Sequence, residues 1–179
     1  MSEPTQAAVE STHIPINDLC NMGCTFCGIG RQKHFDLAEV AETLRSRRPD
    51  KVPRVSLGGG EPTLHPQLRE ILQHAVEVGF SERQIETNGL RLSQASYLST
   101  LQEGGLTHIR MMLPAANEAS WNRVTRLEGK VELAWQGLAA AAKAGLGIDV
   151  VIPVSRQKKR SRNTTSVDTF RIETGAKCV

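Results

Sequence analysis

The 179-residue chain is 39% hydrophobic and 23% charged, the make-up of one globular domain with a real core and hardly room for two. It contains no apolar run of the roughly 18 residues a membrane helix needs, and the polar start MSEPTQAAVE is not a signal peptide, so a cytoplasmic location is expected. The net charge of +3 is local: from Ser155 onward seven Lys/Arg stand against two Asp/Glu, so the main body is not a basic nucleic-acid platform.

Ile14-Pro15-Ile16, leading into Leu19, predicts a first strand that ends at a run of cysteines. Asp36 is placed as the N-cap of a helix with Leu37, Val40, Ala41 and Leu44 on one face, stopped by Pro49. Val55–Leu57 predicts a second strand running into Gly58-Gly59-Gly60. Pro66 suits the first turn of a helix that buries Leu68, Ile71, Leu72, Ala75 and Val76 and closes at Gly79. Gln84–Thr87 is a third strand, and Ser93 opens a helix carrying Leu98 and Leu101 that ends at Gly104-Gly105.

Thr107–Leu113 predicts a fourth strand, followed by an irregular stretch and an alanine-rich helix over Val131–Ala144, ended by Gly145. Ile148–Val154 is a fifth, strongly β-branched strand. The basic stretch Arg156–Asn163 breaks the rhythm. Val167–Gly175 then predicts a short helix, and Ala176–Val179 the start of a sixth strand. The expected organisation is a flexible N-terminus (1–10), a core (11–154) and a basic tail without packed structure (155–179). Such strand–helix alternation argues for βαβ units on a parallel sheet, with the strand C-terminal ends gathered along one edge, where these folds keep their sites.

The residues that carry chemistry fall at those ends. Cys20-Asn-Met-Gly-Cys24-Thr-Phe-Cys27 places three of the four cysteines in one short loop, too tight for a disulfide scaffold. Thiolates are soft donors that suit zinc or an iron–sulfur cluster. From spacing alone both stand, zinc as a Cys₃His set of Cys20, Cys24, Cys27 and His34. Three thiolates on a four-iron cluster leave one iron without a protein ligand. Gly59-Gly60-Glu61-Pro62 ends the second strand and Thr87-Asn88-Gly89 the third. Glycine lets a backbone approach a ligand, and a carboxylate accepts bonds from an ammonium, although Glu61 would serve equally as a helix cap.

Cys20–Cys27 resembles the CxxxCxΦC signature of the radical S-adenosylmethionine superfamily, with Phe26 at the aromatic position. Gly59–Pro62 is similar to its GGEP element, and Thr87–Gly89 to a frequent TNG element. The resemblance covers about residues 11 to 154. It implies an α/β partial (βα) barrel, here with five complete βα units and an incomplete sixth, and hence a chain shortened relative to the usual core. It also implies a [4Fe–4S] cluster on Cys20, Cys24 and Cys27 and S-adenosylmethionine chelated by the unclaimed iron. That cofactor is cleaved reductively to a 5′-deoxyadenosyl radical, which takes hydrogen from substrate.

Gly59, Gly60 and Glu61 would then hold the methionine end, Phe26 would lie by the adenine, and Thr87 and Asn88 would touch cofactor or substrate. A reductant such as flavodoxin or ferredoxin is implied. Within the superfamily the chain resembles the group that includes peptide-modifying maturases and the molybdenum-cofactor cyclase, so a peptide or a cofactor precursor is the expected substrate. The chain departs from the family at the fourth strand, where Met111-Met112-Leu113-Pro114 replaces a cofactor-contacting Ser and Trp121-Asn122 a His-Asp pair, leaving Arg126 to reach the methionine carboxylate. Met111, Met112, Trp121 and Trp135 are expected in packing roles, and His13, His65, His74 and His108 as surface or satisfied residues. The rival from another class is a zinc-binding or degenerate module whose tail docks a partner. Nucleic acid is the interesting partner for such a tail, but no aromatic residues interleave its charges to stack bases.

Overall fold

The computed structural model describes residues 11–28, 33–47, 52–155 and 165–172. Five parallel strands, β1 (Ser11–Asn17), β2 (Arg54–Gly59), β3 (Glu82–Thr87), β4 (His108–Met112) and β5 (Gly147–Ser155), lie side by side in chain order. A sixth, β6 (Thr165–Ile172), returns antiparallel along β5, pairing Ser155 with Thr165 and Ile148 with Ile172. Between the parallel strands run α1 (Leu37–Ser46), α2 (Leu68–Val78), α3 (Ala95–Glu103), α4 (Glu118–Thr125) and α5 (Val131–Lys143). Sequential order with crossovers of one hand puts the helices on a single face of the sheet. The α/β partial barrel expected from the sequence is what forms.

Side-chain alternation along each strand separates the two faces. Ile14, Ile16, Val55, Leu57, Ile85, Ile109, Met111, Ile148 and Val150 are buried in one core cluster with Val40 and Leu44 of α1, Leu68, Ile71 and Leu72 of α2, and Leu98 and Leu101 of α3. The intervening positions face the other way; Ser56, Glu86 and Arg110 are polar, whereas Met112 and Val151 are not. At the N-terminal end of that second face, Arg54, only 5% exposed, pairs with Glu82 and stands 3.6 Å from Asp149, closing the bottom of the sheet with buried charge.

Several local expectations shift. Asp36 holds the N-cap position of α1 but makes no side-chain capping bond. The second helix begins at Leu68, after a single 3₁₀ turn over Pro62–Leu64, and Val76 is exposed rather than buried. The third begins at Ala95, after a 3₁₀ turn over Leu90–Ser93. The stretch read as irregular contains α4, whose N-cap Asn117 accepts a hydrogen bond from Ser120 N–H. The helix expected from Val167 is replaced by β6, because hydrogen bonding to β5 decides that segment's conformation. Residues 1–10, Pro49, the stretch 156–164 and Ala176–Val179 lie outside the described residues. Among the described residues no helix is long and apolar enough to cross a membrane.

Candidate active site

The C-terminal ends of β1, β2 and β3 converge on one cavity of about 360 Å³. The nine motif residues expected to hold cluster or cofactor, Cys20, Cys24, Phe26, Cys27, Gly59, Gly60, Glu61, Thr87 and Asn88, line it. They come from three segments spread over nearly 70 residues of chain, and only the parallel sheet brings them together.

The cysteine loop follows β1 directly. Its amides reach the end of α4: Gly23 N–H donates to Thr125 O (2.8 Å) and Thr25 N–H to Val124 O (2.9 Å), using carbonyls that a helix C-terminus leaves unpaired. Arg126, at φ +56°, turns the chain out of α4 immediately afterwards and is not among the lining residues. Within the loop Met22 N–H donates to Cys20 Sγ (3.4 Å), and Cys27 N–H donates to Cys24 O (3.1 Å) in a tight turn. Cys20 and Cys24 are partly buried, Cys27 is exposed, and Phe26 is 40% exposed at the cavity edge.

The glycine edge has a different construction. Gly60 N–H donates to Asn17 O (2.8 Å) and Glu61 N–H to Leu19 O (2.6 Å), strapping the end of β2 to the chain entering the cysteine loop. A Cβ on Gly59 would overlap Asn17 O, and one on Gly60 would overlap Leu19 O; Gly59 also holds φ +111°. The two glycines are therefore required first for this close backbone contact, one step away from the ligand approach the sequence suggested.

Glu61 is 1% exposed. Its Oε1 accepts from Thr63 N–H (3.1 Å), Thr63 Oγ1 (2.6 Å) and Thr87 Oγ1 (2.6 Å), and its Oε2 accepts from Asn88 N–H (2.7 Å). Burial pushes its pKa up against these four bonds, led by that from Asn88, which favour the charge. Glu61 thus does cap the 3₁₀ turn, and it also joins the ends of β2 and β3. The Thr87 Oγ1 hydrogen is committed to Glu61, and the oxygen also accepts from Gly89 N–H (3.0 Å). Asn88 donates from Nδ2 to Asn21 Oδ1 (2.8 Å), tying β3 to the cysteine loop. A further layer holds Thr63, whose carbonyl accepts from Arg91 and from Tyr97 Oη (2.9 Å), and burial pushes the Tyr97 phenol up to about 12.

His34 is not in the cavity. It packs edge-to-face on His65, ring centroids 5.1 Å apart, so it does not complete a Cys₃His set. Among the described residues no three His, Cys, Asp or Glu side chains gather closely enough to hold one metal ion. Tetrahedral zinc needs every sulfur about 2.3 Å from one centre. A cluster gives each thiolate a separate iron, and three soft donors spread over one cavity wall fit that demand. His65 itself is a satisfied core residue: Nδ1 accepts from Gln67 N–H, so Nε2 carries the proton and donates to Phe35 O (2.9 Å).

Sequence comparison agrees with the geometry. A family model described as the Radical SAM superfamily matches residues 14–157. The chain belongs to the radical SAM superfamily. Members of this superfamily are enzymes that use a [4Fe–4S] cluster and S-adenosylmethionine. Curated relatives include a GTP 3′,8-cyclase of Moorella thermoacetica, 29% identical over 82% of this chain, and a 7,8-dihydro-6-hydroxymethylpterin dimethyltransferase of Methanocaldococcus jannaschii, 28% identical over 79%. The chain spans 47% and 29% of these proteins, about half their length or less. Among solved structures it shares the fold of Streptococcus suis SuiB bound to its precursor peptide SuiA, with TM-score 0.64 and 18% identity over 77% of this chain and 31% of that one.

Besides Met22 of the cysteine loop, the cavity has a wall the motifs did not indicate: Glu86, Arg110, Met112 and Val151. Met112, expected in the core, points away from it, whereas its neighbour Met111 is fully buried. Strand alternation carried this signal, since 86, 110 and 112 share the parity of the helix-free face.

Proposed function

We propose that this chain is the cofactor-binding core of a radical SAM enzyme that acts on a cofactor-precursor heterocycle in the cytoplasm. The supporting observation is the meeting of the cysteine loop, the glycine edge and Thr87-Asn88 in one cavity. Cys20, Cys24 and Cys27 hold the [4Fe–4S] cluster. The main chain at Gly59 and Gly60 would hold the methionine ammonium, together with the second lone pair of Glu61 Oε2. Phe26 would lie by the adenine. Thr87 and Asn88 act mainly as positioning residues, because their hydrogen bonds fix Glu61 and the loop. When bound and reduced, the cofactor pair supplies a 5′-deoxyadenosyl radical that abstracts hydrogen from substrate. The protein's share is to orient both partners and keep water from the reacting atoms.

A reductant is required, and a small flavodoxin or ferredoxin fits the role. The two relatives named above are called after molecules that contain a 2-amino-4-oxopyrimidine ring fused to a second ring, guanine in one and a pterin in the other. Those relatives match in sequence, whereas the peptide-binding neighbour matches in fold, so a fused heterocycle is favoured over a peptide.

The test is anaerobic reconstitution with iron and sulfide, then addition of S-adenosylmethionine and dithionite. A brown protein that forms 5′-deoxyadenosine supports the reading. Tight zinc binding with no cleavage under the same conditions overturns it.

A further inference from the structure

Glu86, Arg110, Met112 and Val151 line the cavity, yet neither the cysteine loop nor the glycine edge accounts for them. They come from three adjacent strands. Glu86 and Arg110 are register partners on β3 and β4, and Met112 and Val151 on β4 and β5. Glu86 Oε1 and Arg110 Nη1 stand 3.7 Å apart, beyond hydrogen-bond distance, so neither group is consumed by the other. Both side chains are partly open, at 32% and 40% exposure. Arg110 Nε is buried without a hydrogen-bond partner.

Glu86 is held in place from behind. Ser56 Oγ donates to its Oε1 at 2.8 Å, and His13 Nδ1 stands 3.5 Å from the same oxygen. Gly58 leaves the space for this, since a Cβ there would press on His13 Cε1 and on Glu86 Oε2. Burial pulls the Glu86 pKa up, but the bonds from His13 and Ser56 and the charges of His13 and Arg110 outweigh it, so the carboxyl sits below its ordinary range and is ionised at neutral pH. A fixed carboxylate therefore lies beside a guanidinium on the wall of a cavity, with the apolar surface of Met112 and Val151 on the same face.

That combination selects for a certain chemistry. A polyphosphate would be repelled by the carboxylate. A flat, uncharged edge that presents N–H groups next to a carbonyl fits both members at once, and the amino-pyrimidinone edge of guanine or a pterin has that order of donors and acceptor. We propose that Glu86 and Arg110 form the substrate-recognition pair of this site, Glu86 accepting the amino and ring N–H groups of a 2-amino-4-oxopyrimidine ring and Arg110 donating to its carbonyl oxygen. The proposal rests on the radical SAM reading for the reaction that follows, but recognition itself needs neither electrons nor turnover.

The test is equilibrium binding to the full chain, reconstituted with its cluster and with S-adenosylmethionine but no reductant. The probes are 6-hydroxymethylpterin, followed by its own fluorescence, and guanosine, followed by calorimetry. The 2,4-dioxo analogue that lacks the amino group is the control. Saturable binding of either ring is expected, weakened about tenfold or more for the dioxo analogue and in Glu86→Gln and Arg110→Gln. Preference between the two rings then identifies the source, and either preference supports the pair. A common unfolding midpoint shows that the variants are folded, and Arg110→Lys is expected to recover part of the loss. No saturable binding of either ring up to about 1 mM overturns the proposal. So does equal binding by wild type and variants, or preference for a free amino acid or peptide. Failure here in a protein that still cleaves S-adenosylmethionine leaves the radical reading intact, whereas loss of cleavage in the wild type is the failure of that reading.

Discussion

Phe26 and Cys27, at the tip of the cysteine loop, are open to solvent, whereas Glu61 in the same cavity is 1% exposed and accepts four hydrogen bonds. The loop is joined to the fold mainly through its backbone, by the amides of Gly23 and Thr25 on the end of α4. The glycine edge is tied to the end of β1 by backbone bonds and by Asn17 Nδ2 donating to Glu61 O (3.0 Å), and to β3 through the buried side chain of Glu61. An exposed side chain such as that of Cys27 can thus be changed with little cost to the fold. The groups that set its position cannot. Sequence motifs mark both alike, and only burial and hydrogen bonding tell them apart.

The sharpest way to break this contrast is Glu61→Ala. It strands the amides of Thr63 and Asn88 and two hydroxyls in the interior, so about 3 kcal/mol or more of stability should be lost, seen as a lower denaturant midpoint. A loss under about 1 kcal/mol would show that the buried carboxylate is not a structural tie. Gly60→Ala comes next, at about 2 kcal/mol, because the new methyl meets the Leu19 carbonyl; iron content should fall with it, since Leu19 leads straight into Cys20. Cys27→Ser should lower stability of the metal-free protein by less than about 1 kcal/mol while abolishing the iron–sulfur absorbance on reconstitution. Cluster retention in Cys27→Ala, which offers no side-chain donor, would remove Cys27 from the ligand set.

The smallest effect concerns His65, whose buried ring is held neutral, its pKa lowered from 6.5 chiefly by desolvation. The folded state resists the proton more than the unfolded chain does, so the ring's contribution is complete above pH 6.5 and declines as pH falls below it. Denaturation midpoints on either side of pH 6.5 should drop less on acidification in His65→Gln than in wild type, and equal drops would contradict the assignment.

Much of the fold was legible because its signals are local. Val55–Leu57 and Ile148–Val154 are short β-branched or apolar runs, and Val131–Lys143 is helical by composition and by its glycine stop. Two elements escaped. α4 is eight residues long and buries Trp121 and Thr125, too few positions for a visible period. β6 is defined by its antiparallel pairing with β5, information no local window holds. In the site, the motifs located every expected lining residue but not what each one does. Thr87 and Asn88 read as ligand contacts, yet their bonds run to Glu61, Gly89, Leu90 and Asn21. Glu86 and Arg110 lie outside any motif and become visible only when strand parity assigns them to the helix-free face.

On the proposed reading, Cys20, Cys24 and Cys27 hold a cluster and leave one iron for S-adenosylmethionine. The most direct measurement is the electron paramagnetic resonance spectrum of the reconstituted, dithionite-reduced protein, recorded before and after S-adenosylmethionine is added. A [4Fe–4S]⁺ signal whose g-values shift on addition is the predicted result, since the ligand changes the coordination of one iron. A protein with no such signal, or one whose spectrum is indifferent to S-adenosylmethionine, would contradict the account.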